Sequence, residues 1–227
     1  DPGGLAEESL ASERALRHEP PRVRKAAARE MAKFFKPKPQ MAERRSQRTV
    51  VFDAVLRDGY GNAFASQDES DQAMAAYRAA SRLLPGSHVP LLYVAMEYGR
   101  TNNNTMAAQC LRQARQGCAS DPLIFNEIGV VKYNEERYEQ AIVSFRNAIK
   151  LCDRSDKTTR EVVLVNLGHA LRKLGRFERA VACYEEARAL IHVQKPSTLA
   201  SLAFTYHLQG KLDLAIDIYH KALALKP

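Results

Sequence analysis

Ile128-Gly129-Val130-Val131-Lys132-Tyr133-Asn134-Glu135-Glu136-Arg137-Tyr138-Glu139-Gln140-Ala141-Ile142-Val143-Ser144-Phe145-Arg146-Asn147-Ala148 carries apolar residues at helical spacing on both sides of a polar turn. Its landmarks return along the chain. Ala73, Ala107, Ala141, Ala180 and Ala215 follow one another at steps of 34, 34, 39 and 35 residues. Seven residues after each stands a second Ala: Ala80, Ala114, Ala148, Ala187 and Ala222. Between the two columns lie Tyr77, Leu111, Phe145, Tyr184 and Tyr219, and twelve residues before the first column lie Gly61, Ala95, Gly129, Gly168 and Ala203. Two all-Ala columns in one register are a repeat signal that local composition does not produce, and a period in this range decides the fold before any local reading.

The columns read as paired helices. Two helix axes approach to about 8–9 Å only where a side chain at the crossing is small, so the Gly/Ala position marks where the second helix of each unit crosses the first. Ala, ring and Ala at spacings of four and three fall on one face of the second helix. Gln67-Asp68-Glu69-Ser70, Thr101-Asn102-Asn103-Asn104, Asn134-Glu135-Glu136-Arg137, Gly175-Arg176 and Gly210-Lys211 supply the turns within units, and Asp121-Pro122 supplies a cap followed by Pro in the first turn. No segment alternates as a strand would. The pattern resembles the tetratricopeptide repeat, with five repeats over roughly 54–87, 88–121, 122–160, 161–195 and 196–227. Such units stack into an all-α, right-handed superhelical solenoid whose first helices line a concave surface that binds peptides. Lys132 stands where other repeats place Phe64, Tyr98, Leu171 or Tyr206, which predicts a weaker interface around the third repeat.

The rest of the composition narrows the classes. With 227 residues, 45% hydrophobic and no Trp, the chain is that of a soluble globular protein, and Lys or Arg interrupts every apolar stretch before the ~18 residues of a membrane span. The start, Asp1-Pro2-Gly3-Gly4, lacks a Met and a secretory leader, and predicts a fragment or processed chain from a reducing compartment. Cys110, Cys118, Cys152 and Cys183 form no C-x-x-C pair and read as buried or inert thiols. Residues 1–50 hold 12 Lys/Arg against 7 Asp/Glu, leaving 22 against 19 for residues 51–227, so the basicity sits in the N-terminal segment. That segment reads as two short helices, Leu5 to His18 and Val23 to Phe35, then a Lys36-Pro37-Lys38-Pro39 linker, and forms a basic, partly flexible region before an array over 51–227. Its Arg and Lys residues would suit a phosphate patch, but only Phe34 and Phe35 offer rings for stacking, so a solvated arm is the better reading than nucleic-acid binding.

Catalytic motifs are missing. The sequence holds no phosphate-binding loop, no dinucleotide fingerprint and no H-E-x-x-H, so it predicts a non-enzyme without cofactor or metal. His169 and His207 lie one repeat apart on the face of the first helices, but a metal would need a third ligand. Register places Val89, Leu92, Tyr93 and Met96, then Leu123, Asn126, Glu127, Val130 and Tyr133 in the groove. Val162, Val165, Asn166, His169, Arg172 and Lys173 follow, then Ala200, Ser201, Phe204 and His207. From these, the partner-binding candidates are Tyr93, Met96, Asn126, Val130, Tyr133, Asn166, His169, Arg172, Phe204 and His207. The Asn side chains either pair with the main chain of an extended peptide or satisfy each other. The set lacks the Lys/Asn/Arg arrangement of repeats that clamp a chaperone's C-terminal carboxylate.

Longer strings point further. Pro90-Leu91-Leu92-Tyr93 through Glu97-Tyr98-Gly99 and Thr101-Asn102-Asn103, Asp121-Pro122 with Asn126-Glu127-Ile128-Gly129-Val130-Val131, and Asn166-Leu167-Gly168-His169 with Arg172-Lys173-Leu174 are similar to the anaphase-promoting complex subunit of the cell-division-cycle sixteen type. The resemblance runs from about Gly61 to Pro227, with a five-residue insertion around Cys152 to Arg160. It implies a scaffold in a multisubunit ubiquitin ligase that drives mitosis, in nucleus and cytoplasm, with other ligase subunits as partners and a small stabilising subunit held in the groove. Family dimers form through N-terminal repeats that residues 1–50 do not resemble. A generic adaptor or co-chaperone, and the repeat portion of a larger enzyme such as a glycosyltransferase, are the competing readings. On the last helix Ile218 and Leu225 face outward from their own repeat, which predicts an exposed apolar strip.

Overall fold

The computed structural model describes residues 57, 59, 61–191 and 193–225. The expected basic segment over residues 1–50, with its two short helices and proline linker, lies outside the described residues. After helical residues 61–65 come α1 (Ser70–Leu83), α2 (Val89–Arg100), α3 (Asn104–Gly117), α4 (Pro122–Asn134), α5 (Tyr138–Leu151), α6 (Lys157–Lys173), α7 (Phe177–Leu190), α8 (Pro196–Leu208) and α9 (Leu212–Leu225). No strand occurs among the described residues. The protein is all-α and built of helix pairs at the repeat period. It divides into two compact units, one up to Thr101 and one from Asn102, so the division falls in the turn of the second repeat.

In the first unit α1 packs on α2. The Tyr77 ring lies where a Cβ on Gly61 would be, donates its hydroxyl hydrogen to Asn62 Oδ1 at 2.8 Å and stacks on Tyr93 at 5.1 Å. Buried Glu97 accepts from Ser70 Oγ at 2.8 Å and pairs with Arg100, whose other arm reaches Asp68 at 2.6 Å.

The second unit shows the repeat rule most fully. Within it α4 packs on α5, α6 on α7 and α8 on α9, and the second helices α3, α5 and α7 also pack on the first helix of the next repeat. The Ala columns are buried throughout. The crossing works by complementary size, because a Cβ on Gly129 would stand 2.5 Å from the Phe145 ring, and one on Gly168 2.6 Å from the Tyr184 ring. Phe145 and Tyr184 thereby join Ala141, Ile142, Ala148, Val163, Leu167, Leu171 and Leu202 in one core, each large side chain contributing about 1.5–3 kcal/mol of burial. This core runs through the third repeat, with Val130 and Tyr133 packed against it. Lys132 itself is half-buried near the end of α4.

The 39-residue step has a local cause. The insertion forms a short connection, Asp153-Arg154-Ser155-Asp156, and then adds a turn to α6, which starts at Lys157 rather than near residue 161. Asp156 caps that added turn by accepting from Thr159 N at 3.0 Å. Asp121 caps α4 the same way, accepting from Leu123 N at 2.8 Å, with Pro122 behind it as the spacing predicts.

Turn geometry follows the same period. Asp68, Asn102, Glu136, Gly175 and Gly210 all have φ between 59° and 76°. At four of them the following N–H donates five residues back: Glu69 to Phe64, Arg137 to Lys132, Arg176 to Leu171 and Lys211 to Tyr206. Each first helix so closed ends in the left-handed motif that glycine favours, yet the third repeat places Glu there. A left-handed residue with a Cβ costs roughly 1–2 kcal/mol, and glycine's greater unfolded freedom returns roughly 0.5–1 kcal/mol of that. Glu136→Gly is therefore expected to stabilise by up to about 1 kcal/mol, raising Tm by about 2–4 °C in calorimetry. A lower Tm would mean that the Glu136 side chain holds the turn.

On α9, Leu212, Leu214, Ile216, Leu223 and Leu225 are exposed. Ile218 departs from expectation, packing half-buried against the core, because one turn beyond Ala215 it falls on the flank turned toward that core.

Candidate functional site

In the second unit the first helices α4, α6 and α8 lie side by side, α6 touching both neighbours. They bring the groove candidates of that unit onto one face. Asn166 donates Nδ2 to Asn126 Oδ1 at 3.0 Å, and Asn126 donates Nδ2 to Glu127 Oε1 at 2.8 Å. Of the two roles open to the Asn side chains, mutual satisfaction is therefore what the geometry gives this pair. Asn126 is only 2% exposed and cannot meet a partner directly, whereas Asn166 is half-buried. Val130 and Tyr133 are also drawn toward the core, and Tyr133 meets Tyr138 edge-on at 5.3 Å.

The remaining candidates form a second cluster. His169 Nδ1 shares a 2.8 Å hydrogen bond with the Tyr184 hydroxyl. The Arg172 guanidinium lies 4.9 Å above the Phe204 ring, and His207 stacks on the same ring at 6.3 Å and 10°. Arg172 Nε is buried without a hydrogen-bond partner. Phe204 remains 40% exposed. Tyr184 belongs to the aromatic column and was not a groove candidate. Sequence register records its ring as core and says nothing of the hydroxyl, which rises from α7 to the face. Of the first-unit candidates, Met96 is 41% exposed and Tyr93 half-buried against Tyr77, while Leu92 of the wider set is buried in the core.

Electrostatics differ between the clusters. Burial pushes the Glu127 carboxyl up to about 7 although the Asn126 hydrogen bond pulls it down. Burial, then the Arg172 charge, holds His169 down to about 4. Burial raises Tyr184 to about 12 against the opposing pull of Arg172. The signs oppose each other. His169 binds fewer protons folded than unfolded between about 4 and 6.5, so its contribution to stability rises with pH there. Glu127 binds more protons folded between 4.5 and about 7, so its contribution falls as pH rises through that window. A nearly flat Tm between pH 4.5 and 6.5 is expected from this pair, and Glu127→Gln should leave the rising His169 limb alone. A Glu127→Gln profile as flat as the parent's would refute the offset.

The four cysteines are free; Cys110 and Cys152 are buried, and burial pushes Cys183 up to about 11 and Cys152 above its ordinary value. Cys152 and Cys183 are thereby kept protonated and poorly nucleophilic. Among the described residues no group of three or more His, Cys, Asp or Glu gathers as a metal site, and no helix is long and apolar enough to cross a membrane.

Two tetratricopeptide-repeat family models match residues 121–191 and 198–227. Anaphase-promoting complex subunit 6 of Arabidopsis thaliana is 48% identical over 171 residues, covering 75% of this chain and 31% of that protein. The cell division cycle protein 16 homolog of Homo sapiens is 37% identical over 171 residues, covering 74% of this chain and 27% of that protein. The chain thus spans about three tenths of the length of these relatives. Among solved structures, the crystal structure of the anaphase-promoting complex hetero-tetramer Cut9-Hcn1 matches with TM-score 0.77 and 29% identity, over 91% of this chain and 38% of the other.

Proposed function

Because the chain belongs to the tetratricopeptide-repeat family, in the group of the anaphase-promoting complex subunit 6 proteins, we propose that it is part of a non-catalytic scaffold in that ubiquitin ligase. It serves mitotic progression in nucleus and cytoplasm, with other complex subunits as partners. The face of α4, α6 and α8 holds a segment of a small partner subunit, and in the first unit Tyr93 and Met96 contribute contacts of their own. The likeness to Cut9, a protein crystallised in complex with Hcn1, over nine tenths of the chain is the observation that supports this most directly. Local chemistry agrees: an exposed ring and a half-buried amide suit an extended peptide. The proposed organisation is a basic arm over residues 1–50 followed by the repeat array over 51–227.

The test is affinity purification of the full-length protein with Phe204→Ala and His207→Ala together. Both are surface side chains, and Asn166 is spared because its loss would strip buried Asn126 of a partner. Ligase subunits are expected to co-purify with parent and variant, and the small subunit with the parent only. Absence of every ligase subunit from the parent, or dependence of the small subunit on residues 1–50 with the double variant unaffected, overturns the reading.

A further inference from the structure

We propose that Glu127 recognises a Lys or Arg side chain, so that the segment bound on the face of α4, α6 and α8 carries a basic residue where it crosses the middle of that face. The inference rests on the groove reading above and adds the chemistry of the ligand.

Glu127 stands on a row of the face that the repeat period defines. Asn166 follows it by 39 residues and Ser201 follows Asn166 by 35, the same steps as the Ala columns. Its side chain is held in place. Asn166 donates to Asn126 at 3.0 Å and Asn126 donates to Glu127 Oε1 at 2.8 Å, so both amides pass their hydrogens toward the carboxyl. Asn126 is closed off from solvent, whereas Glu127 is only half-buried, and its Oε2 accepts from no described residue.

A counter-charge is what the site lacks. The two buried glutamates each hold a cation, Glu97 through Arg100 and Glu161 through Lys195. Glu127 holds none among the described residues. No charged group of α3, α5 or α6, the helices packed on α4, acts on its carboxyl. His169 and Arg172 of α6 lie about one and two turns beyond Asn166, and neither contributes. A desolvated carboxylate is costly alone, and an ammonium or guanidinium reaching Oε2 would offset that cost with a short, charge-assisted hydrogen bond. A neutral amide could donate to Oε2 but would leave the charge uncompensated, so the site discriminates for the cation. The cation belongs to a side chain and not to a chain end, because the row has open surface on both sides. Leu123 and Val162 are exposed one turn before it, and Phe204 one turn after it.

Two blocked peptides, acetyl-Ala-Leu-Lys-Leu-Ala-amide and its Gln counterpart, are titrated into the whole chain and followed by NMR between pH 5 and 7.5. At pH 7.5 the Lys peptide should bind about tenfold more tightly than the Gln peptide; at pH 5, where Glu127 keeps its proton, the two should bind alike. The Glu127 carboxyl signal should report a pKa lower by about one unit with the Lys peptide bound, which is the same factor by linkage, and no fall with the Gln peptide. Histidine charge on the same face also changes with pH, so the deciding comparison is Glu127→Gln. That variant keeps an acceptor for Asn126 and removes only the charge, and in it the preference for Lys should vanish at every pH. Equal binding at pH 7.5, or a preference surviving in Glu127→Gln, overturns the proposal and leaves the groove reading standing. Silence of the whole face toward both peptides overturns both. Should Glu127→Gln lose its helical content, the parent alone decides: an unchanged Glu127 pKa with the Lys peptide bound overturns the proposal.

Discussion

Gly168→Val is expected to destabilise the second unit by about 1–3 kcal/mol or more, measured as a fall in Tm of at least several degrees. An added Cβ would stand 2.6 Å from Tyr184 Cε1 and 2.8 Å from Cζ, and valine's two methyls extend that overlap. Relief by swinging the ring is blocked. Tyr184 is fully buried, and its hydroxyl is tied to His169 at 2.8 Å. Relief by moving α6 would open the core that Val163, Leu167 and Leu171 share with α7 and α8. Helix propensity works the other way, since glycine inside a helix is worth about 1 kcal/mol less than alanine, so Gly168→Ala should fall between parent and valine. Gly99 supplies the control. It lies in α2 with open space around its Cα, so Gly99→Ala is expected to gain roughly 0.5–1 kcal/mol. An unchanged melting temperature in Gly168→Val would refute the assignment of the crossing point.

The crossing could be read from sequence because packing there is a matter of size alone. A Gly or Ala opposite a ring, returning at a fixed step, has one physical meaning whatever surrounds it. The fold followed from that, including the caps at Asp121 and the turns at Gly175 and Gly210. Glu136 shows where the method stops. A left-handed residue is announced by Gly in the last two repeats, but Glu at the same position carries no such mark, and only its place in the period ties it to the others. The α6 insertion is similar: five extra residues read as a longer connection, whereas Asp156 converts most of them into helix by capping an added turn. The face of the first helices was legible as a list of positions but not as a network. Register says that Asn126 and Asn166 share a face; it does not say that two amides 40 residues apart meet at 3.0 Å and that one is closed off from solvent. Polar contacts depend on the last ångström of placement, and apolar columns do not.

Tyr184 joins these two levels, and its substitutions should separate them. Tyr184→Ala removes a fully buried ring and is expected to cost about 3–5 kcal/mol, the range of large-to-small changes in cores. Combined with Gly168→Val it should cost clearly less than the sum, because the valine methyls enter the space the ring has left and the clash that made Gly168→Val costly no longer exists. Residues in contact depart from additivity by about 0.5–3 kcal/mol, and the sign here is compensating. Strict additivity in urea unfolding would mean that position 168 does not touch the ring. Tyr184→Phe makes the opposite cut. It keeps the ring over Gly168 and deletes only the hydroxyl, so stability should fall by about 0.5–1.5 kcal/mol, the net worth of a hydrogen bond. On the face above, that hydroxyl fixes the ring of His169, one of the candidate contacts for the small subunit, through the 2.8 Å bond to Nδ1. Capture of the small subunit should therefore weaken in Tyr184→Phe while the core stays packed. Undiminished capture would show that the phenol serves the core alone.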